Sequence, residues 1–210
     1  MKNFLLYVST CALLIASCKN KNQVSVVHTN FESEIEQQQN LILTFDKDLV
    51  PDSLLDTWED SLTYLKFSPD LKGKYKWNTQ RELMFSPLLG FEASTDYTAT
   101  IQNNISSNSI LKYTVADSKT FTFHTPYLKL LSASGFWTVS KKNPGSANLI
   151  VTLSFNYKVD PSTVKNLSKI LVNNETSSFE LFSNSVDKDI KFVIEGIPKE
   201  KVEGRSFIVH

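Results

Sequence analysis

The amino-acid sequence predicts an all-β chain built from two tandem antiparallel β-sandwich domains, the second of them incomplete. Three observations carry that prediction. From residue 24 onward apolar residues recur at every second position in short runs, the period of half-buried strands. The composition favours packed pleated surfaces, with 14 Phe, 7 Tyr and 3 Trp against only 6 Gly. A segment is also written twice: Val-Asp-Pro-Ser-Thr-Val at 159–164 stands 110 residues after Leu-Val-Pro-Asp-Ser-Leu at 49–54, and each copy follows an alternating run that ends in Phe, at 41–45 and 151–155. The same offset pairs Tyr97-Thr98-Ala99 with Phe207-Ile208-Val209. Two matches at one offset mark two copies of one module.

The first module is placed at residues 24–126. Leu41, Leu43 and Phe45 alternate with Ile42 and Thr44; Leu65 and Phe67 flank Lys66; Tyr75 and Trp77 flank Lys76. Leu83 with Phe85, then Tyr97, Ala99 and Ile101, then Phe121 with Phe123 continue the pattern. Turn residues separate the runs: Pro51, Pro69 with Gly73, Asn78, Pro87 with Gly90, and Asn103-Asn104. Short strands at this spacing point to a sandwich of the immunoglobulin-like kind. Residues 51–62 have Leu54, Leu55, Trp58 and Leu62 at helical spacing and acids near the start, which predicts a helical turn or two. Residues 31–39 fit helix, strand edge or loop equally well.

The second module is placed at residues 127–210. Pro126 closes the first, and residues 127–133 read at once as the next strand. Residues 161–169 answer the helical segment, 170–173 answer 65–68, 179–182 answer 75–78, and 190–194 answer 83–87. The strand at 120–125 has no answer, since its counterpart would fall near 230–235. The second sandwich is therefore expected to be truncated, and the chain to be the front end of something longer.

The amino terminus has the layout of a secretory signal: Lys2, an apolar run over 4–16, then Ile15-Ala16-Ser17 before Cys18. The run is shorter than the ~20 residues a spanning helix needs. Ile-Ala-Ser-Cys resembles the lipobox of bacterial lipoproteins. That resemblance implies removal of residues 1–17, acylation of Cys18, and a short tether over 18–23, with the lipid bilayer as partner. Each buried acyl methylene contributes about 0.8 kcal/mol, and two or more chains hold a protein stably. Cleavage also removes Cys11, so Cys18 would be the one cysteine left and a disulfide framework is excluded. Lys2 is the single charge lost, leaving 21 basic against 22 acidic residues. That balance, with no basic cluster, argues against nucleic acid as a partner.

No catalytic set, cofactor motif or metal site assembles from the sequence. His28, His124 and His210 are scattered, without the close His or Cys neighbours that zinc requires. Asp46, Asp48 and Asp52 faintly suggest calcium, but they lack the loop glycine and closing Glu of an EF-hand and read as turn chemistry. There is no Gly-x-Ser-x-Gly elbow, and Gly135 and Gly145 belong to no phosphate loop. Glu32, Glu34 and Glu36 alternate like a solvated edge. Of the three tryptophans, Trp77 reads as core beside Tyr75, while Trp58 and Trp137 could stack on sugars. An interdomain contact is the expected role of Trp137.

One succession of motifs has a wider resemblance. After the Val50-Pro51-Asp52 turn come Leu65-Lys66-Phe67-Ser68-Pro69, Gly73-Lys74-Tyr75-Lys76-Trp77 and Leu83-Met84-Phe85-Ser86-Pro87. Ser94-Thr95-Asp96-Tyr97-Thr98 and Phe121-Thr122-Phe123-His124-Thr125 follow. This order resembles the bacterial Ig-like domain that opens bacterial alpha-2-macroglobulin family proteins, closely over 40–126 and more loosely over 149–209. Ser94-Thr95 departs from the glycine that often stands there. The resemblance implies a large envelope lipoprotein of tandem macroglobulin-like domains, anchored in a membrane, outer-membrane by expectation, and facing the periplasm or the cell surface. Such proteins trap target proteases after a bait segment is cut. Their Cys-x-Glu-Gln thioester is missing here, because Cys18 is followed by Lys19-Asn20-Lys21. Bait and thioester elements are expected downstream, and Cys18 is the one functional residue the resemblance carries onto this chain. The alternative expectation is a surface or periplasmic lipoprotein whose Ig-like domains bind a protein or glycan; an enzyme is the weakest reading.

Overall fold

The computed structural model describes residues 22–116, 120–199, 202 and 207–209. The signal segment and Cys18 lie outside them. The described chain is mostly strand, with one short α-helix and two 3-10 turns. It divides into two compact units: the residues up to Ser33 with Gln38–Gly90 and Tyr97–Phe123, and Glu34–Gln37 with Phe91–Asp96 and everything from His124 onward.

In the first unit β1 (Gln23–Val24), β2 (Val26–Thr29) and β3 (Leu41–Phe45) are followed by β4 (Trp58–Glu59), β5 (Leu65–Ser68), β6 (Gly73–Thr79) and β7 (Glu82–Pro87). Then come β8 (Asp96–Ile101), β9 (Thr114–Val115) and β10 (Thr120–His124). One sheet runs β2-β3-β7-β6-β4, a second runs β10-β8-β5, and β1 pairs β9 separately. The period-two pattern becomes burial directly. Leu41, Leu43 and Phe45 on β3, Tyr75 and Trp77 on β6, and Leu83 and Phe85 on β7 are all buried and face the other sheet. That sheet answers with Leu65, Phe67, Tyr97, Ala99, Ile101 and Phe123. The Phe67 and Phe85 rings meet across the interface at 4.6 Å between centroids.

Two details fix close approaches, one between the sheets and one between neighbouring strands of the larger sheet. The Tyr75 hydroxyl accepts a hydrogen bond from the Leu65 amide at 3.1 Å and donates one to the Leu65 carbonyl at 3.0 Å. A side chain of one sheet thereby satisfies backbone groups on the open edge of the other, which would otherwise be buried without partners. At Gly73, opposite Pro87, a Cβ would stand 2.4 Å from both the Phe85 ring and the Ser86 carbonyl oxygen. Only glycine fits there.

In the second unit β11 (Leu130–Val139) and β12 (Ser146–Val159) form a hairpin. They precede α1 (Pro161–Leu167), β13 (Ile170–Val172), β14 (Glu175–Ser177), β15 (Glu180–Leu181), β16 (Asp187–Pro198) and β17 (Phe207–Val209). The sheets run β11-β12-β16-β15 and β14-β13-β17. Set beside the first unit, β12, β16 and β15 stand in the order of β3, β7 and β6, and β13 pairs β17 as β5 pairs β8. The register repeats as well: Leu41↔Phe85 and Leu43↔Leu83 in the first copy match Val151↔Phe192 and Leu153↔Ile190 in the second. Leu149, Val151, Leu153, Ile170, Val172, Ile190, Phe192 and Ile194 form the second core. The internal repeat read from the sequence is thus a repeat of strand order and of register.

Four expectations change. Residues 51–62 form only a 3-10 turn at Asp52–Leu54; Leu55 is extended, Asp56 takes a left-handed φ of 57°, and Trp58–Glu59 pairs with β6. The second copy keeps the helix because Asp160 accepts a hydrogen bond from the Thr163 amide at 2.8 Å, with Pro161 at the first turn. The first copy has Val50 at the position of Asp160, and valine has no oxygen to cap with. The strand expected at 127–133 begins later, at Leu130, and runs to Val139, because the Leu128 and Lys129 amides donate to Ser94 Oγ and Asn156 Oδ1 and are lost to the ladder. Leu181, not Phe179, stands opposite Phe192 as Tyr75 stands opposite Phe85; the shift is two residues, so the same face stays inward. Trp137, opposite Leu149, packs against the core of its own unit, where its inward position on β11 directs it.

Candidate functional site

The polar residues singled out in the sequence are occupied by local structure. The Asp46 carboxylate accepts from the Ser25 amide at 2.8 Å, and Asp52 accepts from the Gln80 side chain at 2.9 Å. Asp48 pairs with Arg81, whose guanidinium hydrogen bond holds the Asp48 carboxyl below its ordinary range. Each aspartate is tied to a different partner, so the three do not converge as a calcium site needs. His124 is half-buried; its ring stacks on Tyr127 at 4.5 Å, and Nδ1 lies 2.9 Å from the Thr125 carbonyl oxygen. A carbonyl only accepts, so Nδ1 carries the proton. Glu34 lies 3.9 Å from that nitrogen. His28 is exposed on β2, and His210 lies outside the described residues. Among the described residues no three His, Cys, Asp or Glu side chains come together. Among the same residues no helix is long and apolar enough to cross a membrane.

The aromatic residues separate by environment. Trp77 and Tyr75 are buried, with the Trp77 ring 5.9 Å from Tyr64 and 6.0 Å from Phe45. Trp58 is 49% exposed, with the Lys76 ammonium 5.6 Å above its ring. Sequence spacing placed Trp58 on the apolar face of a helix; its strand pairing with Lys76 turns it outward instead. It lines a hollow of about 320 Å³ with Lys74, Ser86, Pro87 and Leu88. A larger groove of about 460 Å³ adjoins it, sharing Lys74 and Leu88 and adding Lys66, Lys72, Asp60 and Asp70. Leu88 and Leu89 are exposed beside it. This combination of an open indole face, apolar side chains and flexible lysines suits contact with another molecule. The helical spacing of residues 54–62 hid this surface from the sequence reading.

A family-model comparison agrees with the fold. Residues 22–125 match the family model described as a bacterial Ig-like domain. The chain is 26% identical over 142 residues to an alpha-2-macroglobulin of Pasteurella multocida (strain Pm70). That match takes in 67% of this chain but only 7% of the length of the relative. Being longer than either copy of the repeat, it reaches into both. Among solved structures, L,D-transpeptidase 3 of Mycobacterium tuberculosis is similar at a TM-score of 0.33 and 11% identity, over 65% of this chain and 49% of that one. A chicken TCR is similar at 0.26 and 14% identity, over 81% and 87%. At such scores neither protein's chemistry transfers to this chain.

Proposed function

We propose that the chain supplies the non-catalytic, membrane-tethered opening modules of an alpha-2-macroglobulin-like protease trap. One observation carries the reading: the likeness to the Pasteurella multocida protein is too long for either copy alone and so enters both copies of a repeat whose strand order and register are duplicated. A duplicated sandwich is suited to spacing and to presenting faces to neighbouring domains, since the polar groups picked out above are engaged locally. In this reading Cys18 is acylated and holds the modules at a membrane of the bacterial envelope. Capture of the protease belongs to bait and thioester elements carried on other domains. The experiment is metabolic labelling with a fatty-acid analogue in a bacterial host, followed by fractionation. The chain should take up label and sediment with membranes, and Cys18→Ser should lose both; a Cys18→Ser variant that still sediments would rule out the tether.

The open Trp58 face favours a second reading, in which the Ig-like modules bind a glycan or protein directly. Titration with oligosaccharides, read by tryptophan fluorescence, separates the two. Saturable quenching that disappears in Trp58→Ala supports binding, whereas a flat response leaves the scaffold role.

A further inference from the structure

We propose that the loop at 107–113 of the first unit is a lipid-contact tip, whose Ile110 and Leu111 enter the surface of the bilayer that holds Cys18. The inference rests on the tether reading above, and its test is built to fail separately from that reading. Ile110 is 99% exposed and its neighbour Leu111 58%. The loop is fastened in a way that keeps them out. Ser106 and Ser109 are buried beneath it. The Ser109 hydroxyl donates to the Ser106 carbonyl at 2.7 Å, and the Ser106 hydroxyl donates to the Tyr113 carbonyl at 2.9 Å. With both ends tied to these serines, the residues between them project, and their aliphatic surface is left for an apolar phase to cover.

The direction of the chain puts this tip beside the tether. β1 pairs β9 in parallel, Gln23 with Thr114 and Val24 with Val115. The Thr114 amide donates to the Asn22 carbonyl at 2.9 Å. In a parallel pair the residues that precede the two strands lie at one end, so Asn22 enters where Tyr113 enters, next to the loop. Cys18 stands four residues before Asn22. Four residues reach at most about 14 Å when fully extended. A bilayer that holds Cys18 is therefore within short reach of Ile110. Leu88 and Leu89 are also exposed but lie past the far end of β7. The near end of β7 follows Gln80, which lines one hollow of about 460 Å³ with Val50, Pro51, Ile110, Leu111 and Tyr113. The six residues of β7 separate the two leucines from that hollow by about 20 Å.

Charge does not select the partner. Asp48 and Asp52 line the hollow, Arg81 pairs with Asp48, and the Lys112 ammonium donates to the Ser107 carbonyl at 3.2 Å, so neither sign dominates. The contact draws on apolar burial and is indifferent to headgroup charge. Two apolar residues on a loop do not hold a protein on a membrane, since even one acyl chain binds only marginally. Their effect is on orientation: with Cys18 anchored, the tip sets which end of the first unit faces lipid.

The test uses the chain that begins at Cys18, in which that thiol is the single cysteine. It is coupled to a maleimide lipid in phosphatidylcholine vesicles whose acyl chains carry bromine. Coupling imposes the tether, so the result does not depend on acylation in cells. Ile110→Trp, at a fully exposed position, should keep the thermal midpoint. Its emission should shift to shorter wavelength on coupling and be quenched by bromine beyond the parent chain, as an indole at the membrane interface is. Leu89→Trp, at the far end of β7, should stay unquenched. Adding Leu111→Asp to Ile110→Trp should abolish the quenching. The quenching should survive ~1 M salt, in which charge attraction fades beyond about 3 Å. Equal quenching at positions 110 and 89, or none at 110, would overturn the lipid tip and leave the tether standing. Quenching that salt removes would make the contact electrostatic and overturn it as well. A shift that grows with chain concentration without vesicles would identify a second copy of the chain as the cover, and overturn the choice of lipid. Absence of fatty-acid label on Cys18 in cells is the separate failure, which removes the tether and with it the bilayer within reach.

Discussion

Tyr75 shows how much one residue can carry in a sandwich. Its ring belongs to the core and its hydroxyl closes the edge of β5, so it is both apolar packing and a polar seal. Burial pushes its phenol up to about 12, from an ordinary value of 10.0. The protonated form is therefore favoured by folding. Its stabilising contribution is complete below pH 10 and is lost as pH rises through about 12, because the unfolded chain releases this proton first. Tyr75→Phe should lower stability at neutral pH by about 1–3 kcal/mol, through the unsatisfied Leu65 groups, and should flatten part of the alkaline decline. Urea midpoints measured for both proteins across that range check the sign. Gly73→Ala is expected to be more severe than an ordinary surface change, since the clash is with the Ser86 backbone as well as the Phe85 ring. A lowered thermal midpoint reads it. The glycine was visible in the sequence only as a turn residue; the close approach that demands it is not.

At the scale of elements, the two copies of the repeat form a comparison built into one chain. Among the differences between the copies, Val50 against Asp160 before a shared proline removes the side-chain cap that the helix of the second copy has. Asp160→Ala should cost about 1 kcal/mol, measured as a shift in denaturant midpoint, and Asp160→Asn should recover most of it. Val50→Asp should not restore the helix in the first copy, because Val50 is buried and the carboxylate would lose water there. Circular dichroism of that variant would show destabilisation without added helix. Phe85 and Phe192 occupy the same place in the two registers, each fully buried. Replacing either with Ala should cost about 3–5 kcal/mol. Strand identity and inward face were legible from period-two spacing at 41–45, 83–85 and 190–194. Strand ends were not, because donors such as the Leu128 and Lys129 amides are diverted by side chains far away in sequence.

For the whole molecule, the described core of the first unit is closed on both sheets, whereas the second leaves Phe207, Val209 and the inner face of β11 partly uncovered. Heating the full chain should therefore give two transitions, with the earlier one belonging to the second unit; calorimetry combined with exchange at β12 and β16 assigns it. A single transition with both cores lost together would show that the units are thermodynamically coupled. On the scaffold reading proposed above, the chain should not inhibit a protease, since that reading assigns capture to other domains. Stoichiometric inhibition of a digestive protease acting on a protein substrate would overturn the scaffold role.

The sequence by itself determined the all-β class, the duplication, and the inward face of most strands, because alternation and a fixed offset are properties of the chain in one dimension. It also supplied the candidate anchor at Cys18. Tertiary structure decided what needs two distant segments at once: that Trp58 faces outward on a strand, that Trp137 joins its own unit's core, and that Asp46, Asp48 and Asp52 are tied separately. Pairing across a sheet joins residues whose separation no local pattern records, and that is why these outcomes became visible only in the fold.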